Sequence, residues 1–575
     1  MRNFKIGMLL VIHLLIYTPS RPALAGEKAW TVDAIMNLKM VGDPQITADG
    51  SKVAFVVTSV NSKRNGYDSQ IWVVTAAGGA LDPLRSPHFT GSAPRWSSDG
   101  KTLAFLSRRE GTSQVYGADR LDRVPRKLTD SPTPVRYFKW SQDQQFIGYL
   151  AFDPPSSEEL KRREAGDDAV VANQQYKYSR IYRIAAQGGK VHLVTRSDRH
   201  VISFDWAPDG SKMVYAGQVT PRNRDTFNLD LYEIDLKTGR EIALVAQAGR
   251  DADPCYSKDG RLVAFHSQAG TLNYFEERQV GIVPSGGGSI RYLTEKMPGD
   301  VFRGGDLFWW SQDNSEIVFG AGVGTIDALF SINLKDGTPN RILAPLHGPS
   351  SFSLSRDGSR LAFIKSSSNW PPEVYLGKRG GKGVQETQLS DLNPQLKEFP
   401  LITTSTIHWK SRDGLDVEGV LRLPIGYKPG DRVPLLLELH GGPTGVALEG
   451  FSIPRTYPTQ LFAQQGFAVL SPNFRGSSNY GGQFRLANIK SQGVGDFDDV
   501  MTGIDALVQQ GLADPDRLGV MGWSYGGFLT LARQAPIGFP GTAPATDLVK
   551  SCGPISAASP GIAGRLTITT RRVIP

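Results

Sequence analysis

The chain has 575 residues, of which 21% are charged, and its formal net charge is +8. Hydrophobic cores rarely grow past about 250–300 residues, so this length excludes a single-core protein and favours two large domains. The excess positive charge lies in residues 1–25 and 531–575, and the nearly balanced region between them argues against a nucleic-acid partner.

Residues 1–25 have the features of a signal peptide. Arg2 and Lys5 form a positive start, residues 6–16 are apolar, and residues 23–25 (Ala-Leu-Ala) form a small-x-small cleavage site. The apolar run is too short for a stable membrane span, although an uncleaved anchor is the alternative. We therefore expect a mature chain that begins near Gly26, is periplasmic or secreted, and has no stable membrane insertion.

One motif recurs seven times: an aromatic or aliphatic residue, two further residues, Asp and usually Gly, followed by an alternating apolar strand. Its aspartates are Asp49, Asp99, Asp143, Asp209, Asp259, Asp313 and Asp357. Spacings of 44 to 66 residues leave room for four short strands in each unit. Asp-Gly supplies a tight turn with positive φ, and we expect the aromatic residue to pack between neighbouring units. Because four-stranded units repeated radially form a β-propeller, the sequence predicts a seven-bladed β-propeller over residues 26–400, in preference to unrelated hairpins.

The longest spacing contains a charged insertion at residues 154–170. A solvated loop, with one short helix, is the simpler interpretation. The other interpretation is that Glu158 and Glu159 reach the substrate cleft and hold the free amine of a peptide, and it rests on paired carboxylates alone.

After residue 400 the pattern changes to alternating strands and helices. The sequence predicts strands at 403–411, 416–424, 433–440, 466–474 and 517–521, and helices at 456–465, at 494–511 and from about Tyr525. This alternation is typical of a largely parallel sheet, so residues 401–530 are predicted to form an α/β-hydrolase domain.

The strand at 517–521 leads directly into Gly522-Trp523-Ser524-Tyr525-Gly526. A G-x-S-x-G motif between a strand and a helix is typical of a nucleophile elbow, in which a strained turn exposes the serine hydroxyl. The sequence therefore predicts Ser524 as a nucleophile, with a structural Gly-Ser turn as the alternative. Upstream, residues 440–443 (His-Gly-Gly-Pro) end a strand and offer N–H groups to an oxyanion, with the N–H of Tyr525 as a second donor.

These motifs, together with residues 473–482 (NFRGSSNYGG), resemble the prolyl oligopeptidase family of serine peptidases, especially its acylaminoacyl-peptidase and dipeptidyl-peptidase branches. The resemblance covers roughly residues 30–530. It implies that Ser524 is the acyl nucleophile, that Tyr525 and Gly442 are backbone oxyanion donors, and that the propeller restricts access to short peptides. Asn479 departs mildly from the family, which often has Gly there, because Asn also tolerates the left-handed conformation.

The expected partners of Ser524 are missing from the sequence. In this fold an Asp or Glu and then a His follow the nucleophile, but no histidine follows Ser524 and the only later acid is Asp547. His440 precedes the nucleophile and is predicted to be structural. We therefore predict a truncated or frame-shifted peptidase, with a hydrolase domain incomplete at its C-terminus, a disordered tail at 531–575 and negligible activity.

Two other functions remain open from sequence alone. The first is a catalytically dead periplasmic binding protein of the propeller type, and the second, weaker one is a lipase or esterase. Cys255 and Cys552 are the only cysteines, which excludes a disulfide framework. No residue pattern supports a metal or another cofactor, and the sequence does not determine the oligomeric state.

Overall fold

The computed structural model describes residues 28–532 except 85–89, 168, 170–172, 175, 302–307, 349–350, 382 and 452–456. The predicted signal peptide, residues 533–575 of the predicted tail and Cys552 lie outside the described residues.

Residues 40–388 form sheets whose strands follow one another in chain order and pair antiparallel, with one parallel exception. The first three sheets contain β1 (Met40–Ile46), β2 (Lys52–Asn61), β3 (Gly66–Thr75) and β4 (Asp82–Pro83); β5 (Ser92–Trp96), β6 (Leu103–Ser107), β7 (Gln114–Ala118) and β8 (Arg126–Lys127); and β9 (Tyr137–Trp140), β10 (Phe146–Phe152), β11 (Ser179–Ala185) and β12 (His192–Leu193).

The next sheet has eight strands because β15 and β17 pair in parallel and join two four-stranded units. Its strands are β13 (His200–Trp206), β14 (Lys212–Gln218), β15 (Asn228–Asp235), β16 (Glu241–Val245), β17 (Gly249–Tyr256), β18 (Leu262–Ser267), β19 (Gln279–Pro284) and β20 (Arg291–Tyr292).

Two more antiparallel sheets complete this region. They contain β21 (Asp300–Val301), β22 (Phe308–Trp310), β23 (Glu316–Val323), β24 (Ile326–Asn333) and β25 (Pro339–Leu346); and β26 (Phe352–Leu354), β27 (Arg360–Ser367), β28 (Trp370–Gly380) and β29 (Gly383–Gln388).

The repeated motif forms the turn that joins the first two strands of each unit. In most copies a Ser or Thr hydroxyl donates to the Asp carboxylate, as from Ser97 to Asp99 at 2.6 Å. The residue after Asp has positive φ, at 69° for Gly100 and 57° for Asn314. The tight turn predicted from Asp-Gly is therefore confirmed, and Asn replaces Gly where the left-handed conformation allows it.

The tryptophan of the motif links neighbouring units. Its indole N–H donates to a backbone carbonyl in the preceding unit, from Trp96 to Gln45 at 3.1 Å and from Trp140 to Arg95 at 3.1 Å. The predicted packing of the aromatic residue between units is thus confirmed where the motif has Trp.

The first and last of these sheets share one core. Val41 and Phe55 of the first sheet pack with Ala362, Ile364 and Val374 of the last. Sheets that succeed one another around a ring until the last meets the first have the arrangement of a β-propeller. Because two units join in one eight-stranded sheet, the number of seven blades stays a prediction.

The second region has a five-stranded sheet in the order β30-β31-β33-β32-β34. Its strands are β30 (Thr404–Lys410), β31 (Asp416–Arg422), β32 (Val433–Leu439), β33 (Ala468–Asn473) and β34 (Ala513–Gly522). β33, β32 and β34 are parallel, whereas β30 and β31 are antiparallel. This confirms the strands and the largely parallel sheet predicted after residue 400.

The helices include one amphipathic helix, α5, which packs on this sheet. Helix bounds are α1 (Val32–Met36), α2 (Ser157–Glu164), α3 (Thr459–Gln464), α4 (Gly481–Leu486), α5 (Gly495–Gln509) and α6 (Tyr525–Ala532), with 3-10 turns at Ser62–Arg64, Asn223–Phe227 and Pro394–Glu398. Val500, Ile504 and Leu507 recur at helical spacing and bury against the leucines of β32. No helix within the described ranges is long and apolar enough to span a membrane.

The segment before β1 packs on the hydrolase region, although it precedes the propeller in the chain. Trp30 and Ile35 bury with Leu396 and Phe451, and the indole N–H of Trp30 donates to the carbonyl of Pro400 at 3.2 Å. The amide of Gln464 in α3 donates to the carbonyl of Trp30 at 3.0 Å. The sequence places this segment in the predicted propeller domain at 26–400, whereas its side chains pack on the hydrolase region. The domain boundaries stay a prediction.

Candidate active site

Ser524 lies in the two-residue turn, Trp523 and Ser524, between β34 and α6. Its φ is 54°, which is strained for a residue with a side chain, and the residue is exposed. The N–H of Gly526 donates to the carbonyl of Trp523 at 2.9 Å, and the N–H of Phe528 donates to that of Ser524 at 3.0 Å. These bonds fix the sharp turn, so the predicted strand–turn–helix elbow is confirmed as geometry.

Glycines on both sides of Ser524 make this turn possible. A Cβ atom on Gly522 would overlap the backbone of Gly526, and one on Gly526 would overlap the carbonyl oxygen of Leu439. Neither position has room for a side chain because the first turn of α6 crosses directly over the end of β32. The motif therefore has Gly at both places for steric reasons.

The turn after β32 reaches the same place. A Cβ atom built on Gly441 would lie 3.3 Å from the Cβ and 3.9 Å from the Oγ of Ser524. Gly442 follows with a φ of 131°, in a region that favours glycine. The structure thus brings the predicted residues Ser524, Tyr525 and Gly442 to one locality.

His440 holds this turn in place through hydrogen bonds and ring stacking. Its Nδ1 lies 2.9 Å from the carbonyl oxygen of Gly441 and its Nε2 lies 2.9 Å from the Oγ of Ser477, while its ring stacks on Phe474 at 4.3 Å. Burial lowers the pKa of His440 to about 4, so the ring is neutral near neutral pH. Both nitrogens are thus engaged away from Ser524, in agreement with the structural role predicted for His440.

Tyr525 anchors the start of α6 to α5. Its hydroxyl donates to the carboxylate of Asp496, and the amide of Asn488 donates to the same hydroxyl at 3.4 Å. Burial and then the bond to Asp496 raise the pKa of Tyr525, so the phenol stays protonated. Its side chain is held inside the domain, which leaves its backbone N–H as the group near Ser524.

The Gly-rich loop at 473–482 is fixed to the hydrolase region through Arg475. Its guanidinium binds the fully buried carboxylate of Asp499 in α5 at 2.7 Å and that of Asp413 in the β30–β31 turn at 2.8 Å. The bonds to Asp499 and Asp413 raise the pKa of Arg475. These ion pairs therefore hold the loop to α5 and to the β30–β31 turn.

The same loop also contacts the propeller. Asn479, with a φ of 78°, donates its backbone N–H to Asp300 and its amide to the carbonyl of Gly324 at 3.1 Å. Arg485 of α4 forms a buried ion pair with Asp300 at 2.5 Å. The left-handed conformation expected at Asn479 is confirmed. Sequence reasoning missed Asp300 and Arg485, because nothing in either local sequence marks a contact between regions 185 residues apart.

A propeller loop approaches the elbow more directly. The hydroxyl of Tyr274, between β18 and β19, lies 3.5 Å from the Oγ1 of Thr444 in the turn after Gly442. The side chain of Glu277 in the same loop packs on Gly482. Propeller residues thus border the site.

The two glutamates of the insertion have different surroundings. Glu159 receives the N–H of Ser156 in a capping box at the start of α2, and it pairs with Lys177 at 2.6 Å. The bond from Lys177 lowers the pKa of Glu159 to about 2. Glu158 is exposed. Glu159 therefore has a local role in helix capping, and the amine-binding hypothesis stays a prediction.

Ser524 has no visible proton acceptor in the described part of the chain. Its hydroxyl makes no hydrogen bond there, and the neighbouring His440 is turned to Ser477. Across the described residues, no group of three or more His, Cys, Asp or Glu side chains could hold a metal ion.

Comparisons with known proteins agree with this geometry. Residues 455–537 match the model of the prolyl oligopeptidase family. The chain is 28% identical over 533 residues to an uncharacterized peptidase, YuxL, of Bacillus subtilis, covering 88% of this chain and 80% of that protein. It is 22% identical over 544 residues to dipeptidyl-peptidase 5 of Porphyromonas gingivalis, covering 90% and 78%.

A solved structure shares the fold over most of both chains. The acylaminoacyl peptidase of Pyrococcus horikoshii superposes with a TM-score of 0.71 at 22% identity, covering 88% of this chain and 76% of that one. These relatives are peptidases, so a catalytically dead binding protein is not favoured. Residues 455–537 therefore match the prolyl oligopeptidase family, and over most of its length the chain is similar to peptidases.

Proposed function

We propose that Ser524 is the acyl nucleophile of a peptidase that acts on short peptides and releases dipeptides or acylaminoacyl units. The observation that carries the proposal is the strained, exposed position of Ser524 at a turn where flanking glycines have no room for side chains. A nucleophile needs this exposure to reach a carbonyl carbon, and an ordinary Gly-Ser turn has no need of the strain.

Backbone N–H groups of Gly442 and Tyr525 stabilise the oxyanion in this proposal. Its support is the approach of Gly441 to Ser524 and the fixed side chain of Tyr525. Two rigid donors that require no reorganisation lower the barrier to a tetrahedral intermediate. The N-terminus of α6, which begins at Tyr525, favours the same negative charge.

A seven-bladed propeller limits the substrate to short peptides. Support comes from Tyr274 and Glu277, which bring a propeller loop to the border of the site. A long or folded chain would collide with such a border, whereas a short peptide has room to enter. The names of the relatives, dipeptidyl and acylaminoacyl peptidases, support the two product classes but do not choose between them.

In this proposal the described residues supply no general base to Ser524. No histidine follows the nucleophile, and His440 uses both ring nitrogens elsewhere. Loss of a triad member typically leaves about 10³–10⁴-fold acceleration over water, so turnover would be negligible on a practical timescale.

Fluorophosphonate labelling with added imidazole tests the nucleophile and the missing base together. We expect slow labelling at Ser524, located by peptide mass, that imidazole accelerates by acting as an external base. The Ser524→Ala variant is the control and should lose this label. Label on other serines only, unchanged in that variant, would contradict the role of Ser524. Rapid hydrolysis of a dipeptidyl or acylaminoacyl chromogenic substrate without imidazole, lost in Ser524→Ala, would contradict the missing base.

The proposed location is the periplasm or the exterior of the cell. Its support is the charged, then apolar, then small-residue pattern of residues 1–25. Expression of the full chain should give a mature N-terminus near Gly26 in the exported fraction. An intact Met1 on cytoplasmic protein would contradict this.

A further inference from the structure

A cavity of about 650 Å³ lies between the propeller and the face of the hydrolase sheet that carries Arg422, Glu438 and Ser471. Asp327 of β24 and His347 line it from the propeller, and Glu449 lines it from the hydrolase region. Leu346 and Phe451 contribute apolar surface. Small-molecule sites have this size and this combination of apolar wall and few polar groups. The described lining includes His440, which supports the turn beside the elbow, but does not include Ser524, so the cavity adjoins the candidate active site without containing the nucleophile.

Asp327 is a buried carboxylate, and one of its oxygens is unpartnered within the described part of the chain. Its residue is only 3% exposed, and its Oδ1 has no hydrogen-bond partner among the residues that the structure describes. Burial raises the pKa of Asp327 to about 7, although Asn479 and the N–H of Gly348 act in the other direction. A buried, incompletely bonded carboxylate is costly in a folded protein unless a cation or a donor comes to it.

The remaining charges around the cavity do not neutralise Asp327. The guanidinium of Arg422 donates to the Oγ of Ser471 at 3.1 Å and to the carbonyl of Leu448 at 3.2 Å. Glu438 shares the hydroxyl of Ser471 at 3.0 Å. Among the described lining residues Arg422 is therefore the one cationic side chain, and its hydrogen bonds go to Ser471 and Leu448 and not to Asp327.

The other three ionisable side chains of the described lining are Glu449, His347 and His440, and His440 is neutral, so none of them brings a cation to Asp327. Glu449 is held by the N–H of Thr406 at 2.9 Å and needs no further donor. Burial lowers the pKa of His347, whose Nδ1 lies 3.0 Å from the Oγ of Ser366, so this ring brings no positive charge. The unpartnered oxygen of Asp327 could therefore accept a hydrogen bond from a positively charged group that carries N–H donors.

We propose that this cavity is a binding site for a small organic cation, a primary ammonium group on an apolar body, with Asp327 as the carboxylate that accepts from the ammonium. The apolar body lies against the Leu346 and Phe451 side of the cavity. The site joins a propeller residue to the hydrolase sheet, so the ligand holds the two regions together. This proposal does not rest on the chemistry of Ser524.

Benzylamine is a suitable probe because it combines one ammonium group with one apolar ring. We expect it to raise the midpoint of thermal unfolding of the full chain saturably, whereas benzyl alcohol and benzoate, of similar shape, do not. In calorimetric titration Asp327→Asn should weaken benzylamine binding on the order of tenfold or more, as expected for a lost charge-assisted hydrogen bond. Asp505→Asn, the same change at an exposed position of α5, is the matched control and should leave binding unchanged.

Three results would overturn the proposal. They are the absence of a saturable effect of benzylamine on the unmodified chain, equal stabilisation by benzyl alcohol or benzoate, and unchanged affinity in folded Asp327→Asn. If Asp327→Asn does not fold, Glu438→Gln gives the second test, because it removes another carboxylate from the lining and should also weaken benzylamine but not benzyl alcohol. Since none of these measurements depends on acylation, failure here is distinguishable from failure of Ser524 as nucleophile.

Discussion

At the scale of single residues, Gly526 shows how little space the elbow leaves. The carbonyl of Leu439 occupies the place where a side chain would begin, so the Gly526→Ala variant must shift β32 or α6. We expect it to lose about 2–3 kcal/mol of stability, as overpacked sites do, together with fluorophosphonate labelling at Ser524.

The neighbouring glycine is the control for this prediction. A Cβ atom on Gly527 would meet its nearest neighbour, the carbonyl oxygen of Gly522, at 3.5 Å, an ordinary contact. Gly527→Ala should therefore be neutral or slightly stabilising, because Ala favours the helix. Urea unfolding of both variants checks the difference, and equal stabilities would contradict the steric account of the elbow.

Asp251 is a buried carboxylate in the propeller with a measurable pH signature. It is 0% exposed, accepts from the amide of Gln247 at 3.1 Å, and burial raises its pKa from 3.8 to about 7. Between these two values the folded chain keeps a proton that the unfolded chain has lost. The contribution of Asp251 to stability therefore falls as pH rises from about 4 to about 7.

Asp251→Asn removes this dependence on pH. We expect the variant to be more stable than the unmodified chain at pH 8, by about 1–3 kcal/mol, and nearly equal at pH 4, where the unmodified carboxyl is protonated. Thermal unfolding across this pH range is the measurement, with Asp505→Asn as the control for an exposed position. A variant that is less stable at pH 8 would contradict the raised pKa.

At the scale of elements, two Arg–Asp pairs link α5 to neighbouring loops and differ mainly in burial. Arg412 lies in the β30–β31 turn, and Arg475 lies in the loop at 473–482. Arg475 pairs with Asp499, which is 0% exposed, whereas Arg412 pairs with Asp498 at 3.1 Å near the surface. Removing one partner of a buried pair leaves an uncompensated charge, and surface pairs contribute little.

Replacing these arginines should separate the two cases. Arg475→Met should cost about 3–5 kcal/mol and loosen the loop at 473–482, whereas Arg412→Met should cost less than about 1 kcal/mol. Urea unfolding measures the cost, and hydrogen exchange in the loop measures the loosening. Similar costs for both variants would show that burial of Asp499 does not dominate.

Helices and strands were the features of the fold that the sequence predicted best. The helix expected at 494–511 is α5 at Gly495–Gln509, and the strand expected at 466–474 is β33 at Ala468–Asn473. Both follow from local hydrophobic period, which the sequence displays directly. The elbow was equally visible, because its glycines are a local steric requirement.

The contacts between the two regions could not be predicted in the same way. Asp300 and Asp327 lie in β-strands and belong to no sequence motif. Their contacts with the hydrolase region form only because β21, β23 and β24 lie side by side in one sheet, where Asn479 packs against Gly322. Glu158 and Glu159 show the opposite difficulty. Two adjacent carboxylates are conspicuous in the sequence and suggest a binding site, but in the structure Glu159 caps a helix.

At the scale of the whole molecule, the ion pair of Arg485 and Asp300 holds the propeller to the hydrolase region. Both side chains are buried, and Asp300 also receives the N–H of Asn479. Arg485→Met should leave Asp300 buried without a cation, at a cost of about 3–5 kcal/mol, and weaken the docking of the two regions.

Calorimetry of this variant should show the docking directly. We expect two separated unfolding transitions in Arg485→Met in place of more cooperative unfolding. Lys397→Met, which removes an exposed pair with Asp391, is the control and should resemble the unmodified chain. A single transition at an unchanged temperature in Arg485→Met would contradict a role for this pair in docking.

The shared core of the first and last propeller sheets has a consequence for the order of events during synthesis. Phe55 leaves the ribosome about three hundred residues before Ala362 and Val374, the residues it packs against. At typical synthesis rates of about 5–20 residues per second, the face of the first sheet waits on the order of tens of seconds without its neighbour. During that interval an apolar sheet face is open to other chains, so this protein is expected to depend on chaperones while the ring is unfinished.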